Sequence, residues 1–360
     1  MFFFTKVRES GKEDLAELRF GLVKIQVFLI KVLVFYKKLA YHSRNIPVSM
    51  KKVCFLLLVL GLSACKHGIQ SVINNKKTSQ HVNIPGTRLY VVLPPDAKIG
   101  EGFVGLEISD SAAMVVHDLP GKSFATDSEI FTKEGFEQKG LKVLEYKEIK
   151  VNGYNAKYVA VQQGEELKGY AVLFGDTTFS TMVLTTYPKN NEQRGKEILA
   201  ALNSMYYERD KKMDPFETAL FSIDEKDSKF RFYNYEGGLY TYTPDGKAIP
   251  KEEENPYILM AQMPINDSMS LDKFAEILIG GAQEYGFTGT EVKNNHWENI
   301  NGHNAYETEV YDEKSEQRSL LYICILERNG SSVFIECFAK KDLAANLEEF
   351  KEFARALHLK

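Results

Sequence analysis

Cysteine is scarce, with four residues in a chain of 360. Cys54 and Cys65 stand near the start and Cys324 and Cys337 near the end, at spacings that fit no metal finger. A basic excess is lacking as well. Lys and Arg number 45 against 49 Asp and Glu, for a formal net charge of -4, which excludes the basic face that nucleic acid requires. Long apolar runs are few: residues 20–36 are interrupted by Lys24 and Lys31, and residues 53–61 are too short to span a bilayer. No nucleophile elbow or metal-ligand motif is present, and no acid, base and nucleophile converge in the pattern, so the chain reads as no enzyme. What is there is ample core material. With 44% hydrophobic and 26% charged residues, the chain holds enough for about two globular domains.

Met50-Lys51-Lys52 opens a basic segment, residues 53–61 form an apolar one, and Leu62-Ser63-Ala64-Cys65 closes it. That order resembles a bacterial lipoprotein signal peptide with its lipobox. The resemblance implies cleavage between Ala64 and Cys65, with lipid carried on the Cys65 thiol. Small residues before Cys65 suit an extended backbone in a peptidase, and two or more acyl chains give stable anchoring. Lys66 stands where aspartate marks inner-membrane retention, so the resemblance favours the outer membrane. On this reading residues 50–64 are the signal peptide and residues 1–49 an upstream extension from a misplaced start. The rival reading takes residues 20–36 as a membrane segment. Residues 65–81 follow as the lipidated cysteine and a polar tether.

The rest of the chain is a tandem repeat, residues 82–209 and 214–360, with a period of about 145 residues. Val151-Asn152-Gly153-Tyr154-Asn155-Ala156 recurs as Ile300-Asn301-Gly302-His303-Asn304-Ala305, and Asn-Gly predicts a tight turn between strands in both. Met114 to Pro120 corresponds to Ile258 to Pro264, a strand leading into a helix region. Helices are expected over residues 124–139, less regular, and over residues 271–285, where Leu271, Phe274, Ile277, Leu278 and Tyr285 recur at helical spacing. Strands are expected at 168–174, 179–186, 319–327 and 332–339, the last two joined by Asn329-Gly330. Final helices are expected over 192–207 and 343–359. Strands apolar on both faces must be covered on both sides. The expected fold is α+β: two tandem three-layer α/β/α sandwiches, each with an antiparallel sheet. This order resembles the Mog1/PsbP-like fold, including a proline-ended first strand over 89–95; the second copy departs from it at its start, where strands at 230–235 and 239–243 stand instead. Members of that fold are mostly accessory or scaffolding proteins, so the resemblance implies no catalysis.

Few residues suggest chemistry. His296 and His303 flank a turn, and with Glu298 or Glu307 a metal site is conceivable, but Tyr154 replaces His303 in the first copy and a turn role is the simpler reading. No catalytic, cofactor-binding or metal residue is therefore assigned. A two-residue hairpin loop sets Cys324 opposite residue 335 and Cys337 opposite 322, leaving the cysteines diagonal. Buried free thiols are expected, with a disulfide open if the register shifts. Glu252-Glu253-Glu254 reads as a solvated loop. Phe230, Phe232, Tyr233, Tyr235, Tyr240 and Tyr242 form either core or an exposed contact patch. The function expected is a non-enzymatic, membrane-anchored accessory or protein-binding scaffold of the cell envelope, without cofactor and without nucleic acid as a partner. The alternative is a periplasmic module binding a small ligand or metal.

Overall fold

The structure, a computed structural model, describes residues 68–360 apart from 110–111, 249–255, 265–269, 283–286, 288, 314–317 and 329. The segment read as a signal peptide, Cys65 and residues 252–254 lie outside the described residues. Among the described residues no helix is long and apolar enough to cross a membrane. The chain forms two compact units, one ending at Asp214 and the other spanning Pro215–Lys360.

The first unit runs β1 (Val72–Ile73), β2 (His81–Asn83), β3 (Leu89–Val92), β4 (Lys98–Ile99), β5 (Gly105–Ser109), β6 (Ala112–Pro120), α1 (Phe124–Ile130), α2 (Lys133–Gln138), β7 (Lys142–Val151), β8 (Tyr154–Gln163), β9 (Leu167–Gly175), β10 (Phe179–Pro188), α3 (Glu192–Asn203) and β11 (Tyr206–Tyr207). Eight strands pair in the order β1-β7-β8-β9-β10-β6-β5-β4, all antiparallel except β1 with β7. One face packs against α3 through Ile198 and Leu202, and against the small sheet β11-β3-β2. The other face carries α1 and α2; Phe124, Phe136 and, between the helices, Phe131 meet Val159, Ala171 and Leu173. Residues with alternating faces therefore feed two cores from one sheet.

The second unit runs β12 (Phe221–Ile223), β13 (Phe230–Glu236), β14 (Leu239–Pro244), β15 (Tyr257–Pro264), α4 (Leu271–Gly280), β16 (Thr290–Ile300), β17 (His303–Asp312), β18 (Ser319–Arg328), β19 (Ser331–Ala339), α5 (Leu343–Arg355) and β20 (Leu357–Leu359). Its seven-stranded antiparallel sheet has the order β13-β14-β15-β19-β18-β17-β16, which is the first sheet over again without β1. Phe350 and Phe353 of α5 pack one face with Tyr322 and Ile335; Phe274 and Leu278 of α4 pack the other with Ile323 and Ile325. Both units are thus α/β/α sandwiches of the α+β class.

The Asn-Gly motif has a second use beyond turning the chain. Asn152 and Asn301 both have positive φ, 46° and 52°, and each is followed by a glycine in the same region. The Asn301 amide also donates to Arg355 O at 2.8 Å and Leu357 O at 2.7 Å, holding the chain where it leaves α5. In the first unit the corresponding carbonyls, Asn203 O and Met205 O, accept instead from Asn75, while Asn152 donates to Asn75 O. These bonds end each helix four residues before the periodicity alone predicts, and the chain continues as β11 or β20.

Three expectations need correction. Residues 65–81 are not a tether throughout: Ile69 and Ile73 belong to the first core, and Val72–Ile73 pairs with Lys150 and Val151. The counterpart of β3 in the second unit is β12, because β11 pairs with β3 as β20 pairs with β12; β13 and β14 stand where β4 and β5 do. The helix expected over 124–139 is two, broken at Phe131 and Thr132, and the Thr132 hydroxyl caps the second by accepting from Gly135 N.

The aromatic hairpin is chiefly core. Phe230, Tyr240 and Tyr242 are buried and Phe230 rests on Phe350, whereas Tyr233 is exposed.

Candidate functional site

Two polar clusters are buried on the α3 or α5 side of the sheets, and the repeat shows how differently they are built. In the first unit, Asp118 on β6 takes a bidentate pair from Arg88, Nε to Oδ2 at 2.9 Å and Nη2 to Oδ1 at 2.7 Å. The Arg88 backbone N–H, the Thr181 hydroxyl and the Tyr207 hydroxyl also donate to it, at 2.8, 2.9 and 3.0 Å. Burial raises the Tyr207 phenol, with the Asp118 charge adding to it. Five donated bonds converge on the one carboxylate, so the group fastens the start of β3 and β11 to the main sheet. In the second unit Gln262 stands at the same place, accepting from Leu220 N and donating to Thr218 O, both at 2.7 Å. The same fastening is made there without charge.

The second cluster has no such balance. His296 and Glu298 lie on β16, Glu307 faces His296 from β17, and Tyr322 and Cys324 follow on β18. Arg355 reaches over from the last turn of α5, with Nη2 at 3.0 and 3.3 Å from the two Glu298 oxygens and Nη1 at 3.7 Å from Glu307 Oε1. Tyr322 donates to Glu307 Oε1 at 2.5 Å. Glu307 is 1% exposed, yet its Oε2 accepts no hydrogen bond. His296 Nε2 lies 3.4 Å from that oxygen and 3.9 Å from Glu298 Oε2. Burial raises the Glu307 carboxyl above its usual range; the Tyr322 bond and the Arg355 charge oppose that shift, and Glu298 adds to it.

The first unit has nothing comparable at these positions. From the paired registers, Lys147 corresponds to His296, Ile149 to Glu298 and Tyr158 to Glu307. A buried tyrosine and isoleucine have been replaced by two carboxylates, a costly exchange for packing alone. Sequence reading noted His296, Glu298 and Glu307 but missed Arg355. Its signal lay in the repeat, since Arg355 closes α5 as Asn203 closes α3. His303 is not part of the group: it opens β17 opposite Ile300, at the turn.

Comparison with solved structures gives distant matches. A chain of the Tle4–Tli4 complex is 9% identical, with 79% of this chain and 99% of that one covered and a TM-score of 0.32. The immunity protein TplEi of T6SS from Pseudomonas aeruginosa, complexed with "L" peptide, is 10% identical over 79% of this chain and 99% of that one, with a TM-score of 0.31. The cyanobacterial PsbP of Synechocystis sp. PCC 6803 is 14% identical over 39% of this chain and 91% of its own, with a TM-score of 0.26. No protein-family model matches the chain, and no curated protein matches it.

Cys324 and Cys337 are free and buried, and the disulfide left open by the sequence does not form. Cys324 pairs with Ile335 and Cys337 with Tyr322, so the thiols are diagonal neighbours. Burial pushes both thiols well above their usual range. We expect neither to react with a disulfide exchange reagent in the folded protein, and both to react once denaturant unfolds the second unit. Fast labelling of either thiol under native conditions would contradict that burial.

The edge beside the cluster is open. In the first unit β1 closes the end of β7 next to the Asn-Gly turn, with Lys150 N donating to Ser71 O and Asn152 N to Ile73 O. Among the described residues no strand pairs with the outer side of β16. Val292 and Trp297, the only tryptophan, are exposed on it, and Trp297 leans edge-on against Tyr306 at 5.2 Å.

Proposed function

We propose that this chain is a non-catalytic lipoprotein of the bacterial cell envelope, anchored through Cys65 at the outer membrane, whose second unit binds a protein partner along the free edge of β16. The observation that carries the reading is the contrast between the edges: the chain's own β1 caps β7, whereas among the described residues no strand lies beside the equivalent end of β16. An uncapped edge offers a ladder of backbone donors and acceptors to an added strand. Exposed Trp297 supplies the large, rigid anchor that dominates such contacts.

The anchor and the body would lie close together. Gly68 O already accepts from the Asn203 amide, so only residues 66 and 67 separate Cys65 from the fold, a reach of about 10 Å over three peptide steps. A lipidated Cys65 would hold the first unit near the bilayer surface. Cys65→Ser should therefore move the protein from the membrane pellet to the soluble fraction.

The binding reading is tested by placing a photo-crosslinking residue at Glu291 on β16, or at Glu348 on α5 as a control, and irradiating living cells. A discrete adduct is expected from position 291 alone, and Trp297→Asp should weaken capture of that partner at least tenfold. Identical adduct patterns at 291 and 348, or turnover of a substrate lost on a single polar substitution, would sink the reading.

A further inference from the structure

We propose that His296, Glu298 and Glu307 bind a divalent transition-metal ion, zinc being the best match. The three side chains each offer one ligand atom, and these atoms all lie within 4.8 Å of one another. A tetrahedral zinc ion with bonds of about 2.0–2.1 Å sets its ligand atoms about 3.4 Å apart. His296 Nε2 and Glu307 Oε2 are 3.4 Å apart, and His296 Nε2 and Glu298 Oε2 are 3.9 Å apart. The exposed His296 ring and the partly exposed Glu298 can close the remaining difference by side-chain rotation.

An independent observation points the same way. Glu307 is almost wholly buried, one of its oxygens is taken by Tyr322, and the other accepts no hydrogen bond while facing His296. A buried carboxylate oxygen without a donor is costly unless a cation meets it. Arg355 does not serve that oxygen: it approaches the opposite one, Oε1, and only to 3.7 Å. The first unit, with Tyr158 and Ile149 at the matching positions, shows that the fold itself does not require acids there.

The donor set selects the class of ion. An imidazole with two carboxylates suits zinc and its neighbours, whereas calcium and magnesium take oxygen ligands alone. The two carboxylates balance the ion's two positive charges. Arg355 is the resident counter-charge that the ion displaces; its half-exposed side chain gives up Glu298 while Nη1 can keep its bond to Lys351 O at 3.0 Å. Tyr322 orients Glu307 from behind, as a metal-bound carboxylate requires.

The test is a Zn2+ titration of the chelator-stripped full chain in detergent, followed by calorimetry, with Co2+ absorption as a second probe of tetrahedral geometry. One ion per chain is expected. His296→Ala and Glu307→Gln should each weaken binding at least tenfold, and Arg355→Gln should tighten it by removing the competing cation. His296 is exposed, so its variant keeps the experiment decisive if Glu307→Gln fails to fold. Absence of binding, or binding that survives His296→Ala and is lost in His303→Ala, overturns the site. The titration involves no protein partner, so its failure leaves the β16 reading standing.

Discussion

Asp118→Ala should destabilise the first unit by about 3–5 kcal/mol, because it strands a charged partner and three further donors at once. Arg88 has 11% side-chain exposure and Asp118 none, so water cannot take over the lost bonds. The Arg88 backbone N–H and the Tyr207 and Thr181 hydroxyls lose an acceptor in the same substitution. Asp118→Asn should cost less, since a carbonyl oxygen remains for some of those donors. Gln262→Ala at the matching place in the second unit should cost about 1–3 kcal/mol, the range for leaving neutral buried groups unpaired. Denaturant unfolding of the three variants gives the ranking. Equal losses for Asp118→Ala and Gln262→Ala would show that the charge adds nothing to the fastening.

Much of the fold is legible in the sequence because it depends on local chemistry. The Asn152-Gly153 and Asn301-Gly302 turns follow from residues that tolerate positive φ, and both are found there. Strands 18 and 19 pair in the register that a two-residue loop dictates, with Arg328 opposite Ser331. Leu321, Ile323 and Ile325 pack toward α4 while Tyr322, Cys324 and Leu326 pack toward α5, as an apolar strand with two covered faces must.

What escaped the sequence depends on distant partners. Residues 68–75 are short and mostly polar, and nothing local shows that Ile69 and Ile73 fill the first core or that Asn75 binds carbonyls beyond residue 200. The candidate metal site was visible in part for the same reason. His296 and Glu307 are register partners across one hairpin, but Arg355 arrives from a helix that closes the domain. The two copies differ at both places: among the described residues Asn75 and β1 have no counterpart in the second unit, and Glu298 and Glu307 stand where the first has Ile149 and Tyr158.

That asymmetry leads to the second large effect. Ile73→Ala should destabilise the first unit by about 2–5 kcal/mol, since the side chain is fully buried and its removal leaves a cavity beside Val151 and Ile149. A chain beginning at Lys76 should lose more, because Ser71 O and Ile73 O no longer close the end of β7 and Asn75 no longer binds Asn203 O and Met205 O. Asn152 cannot substitute for Asn75 at both carbonyls without leaving the Tyr207 N–H it now accepts from at 2.9 Å. The second unit should be untouched, since Asn301 reaches the equivalent carbonyls directly. Hydrogen exchange separates the cases: faster exchange across residues 142–207 with unchanged protection across 290–359 is expected. Unaltered exchange in the first unit would mean that residues 68–75 lie on the domain without supporting it. If the loss occurs, residues 72–73 are a supporting strand of the domain, and cleavage after residue 75 would weaken the first unit while leaving β16 intact.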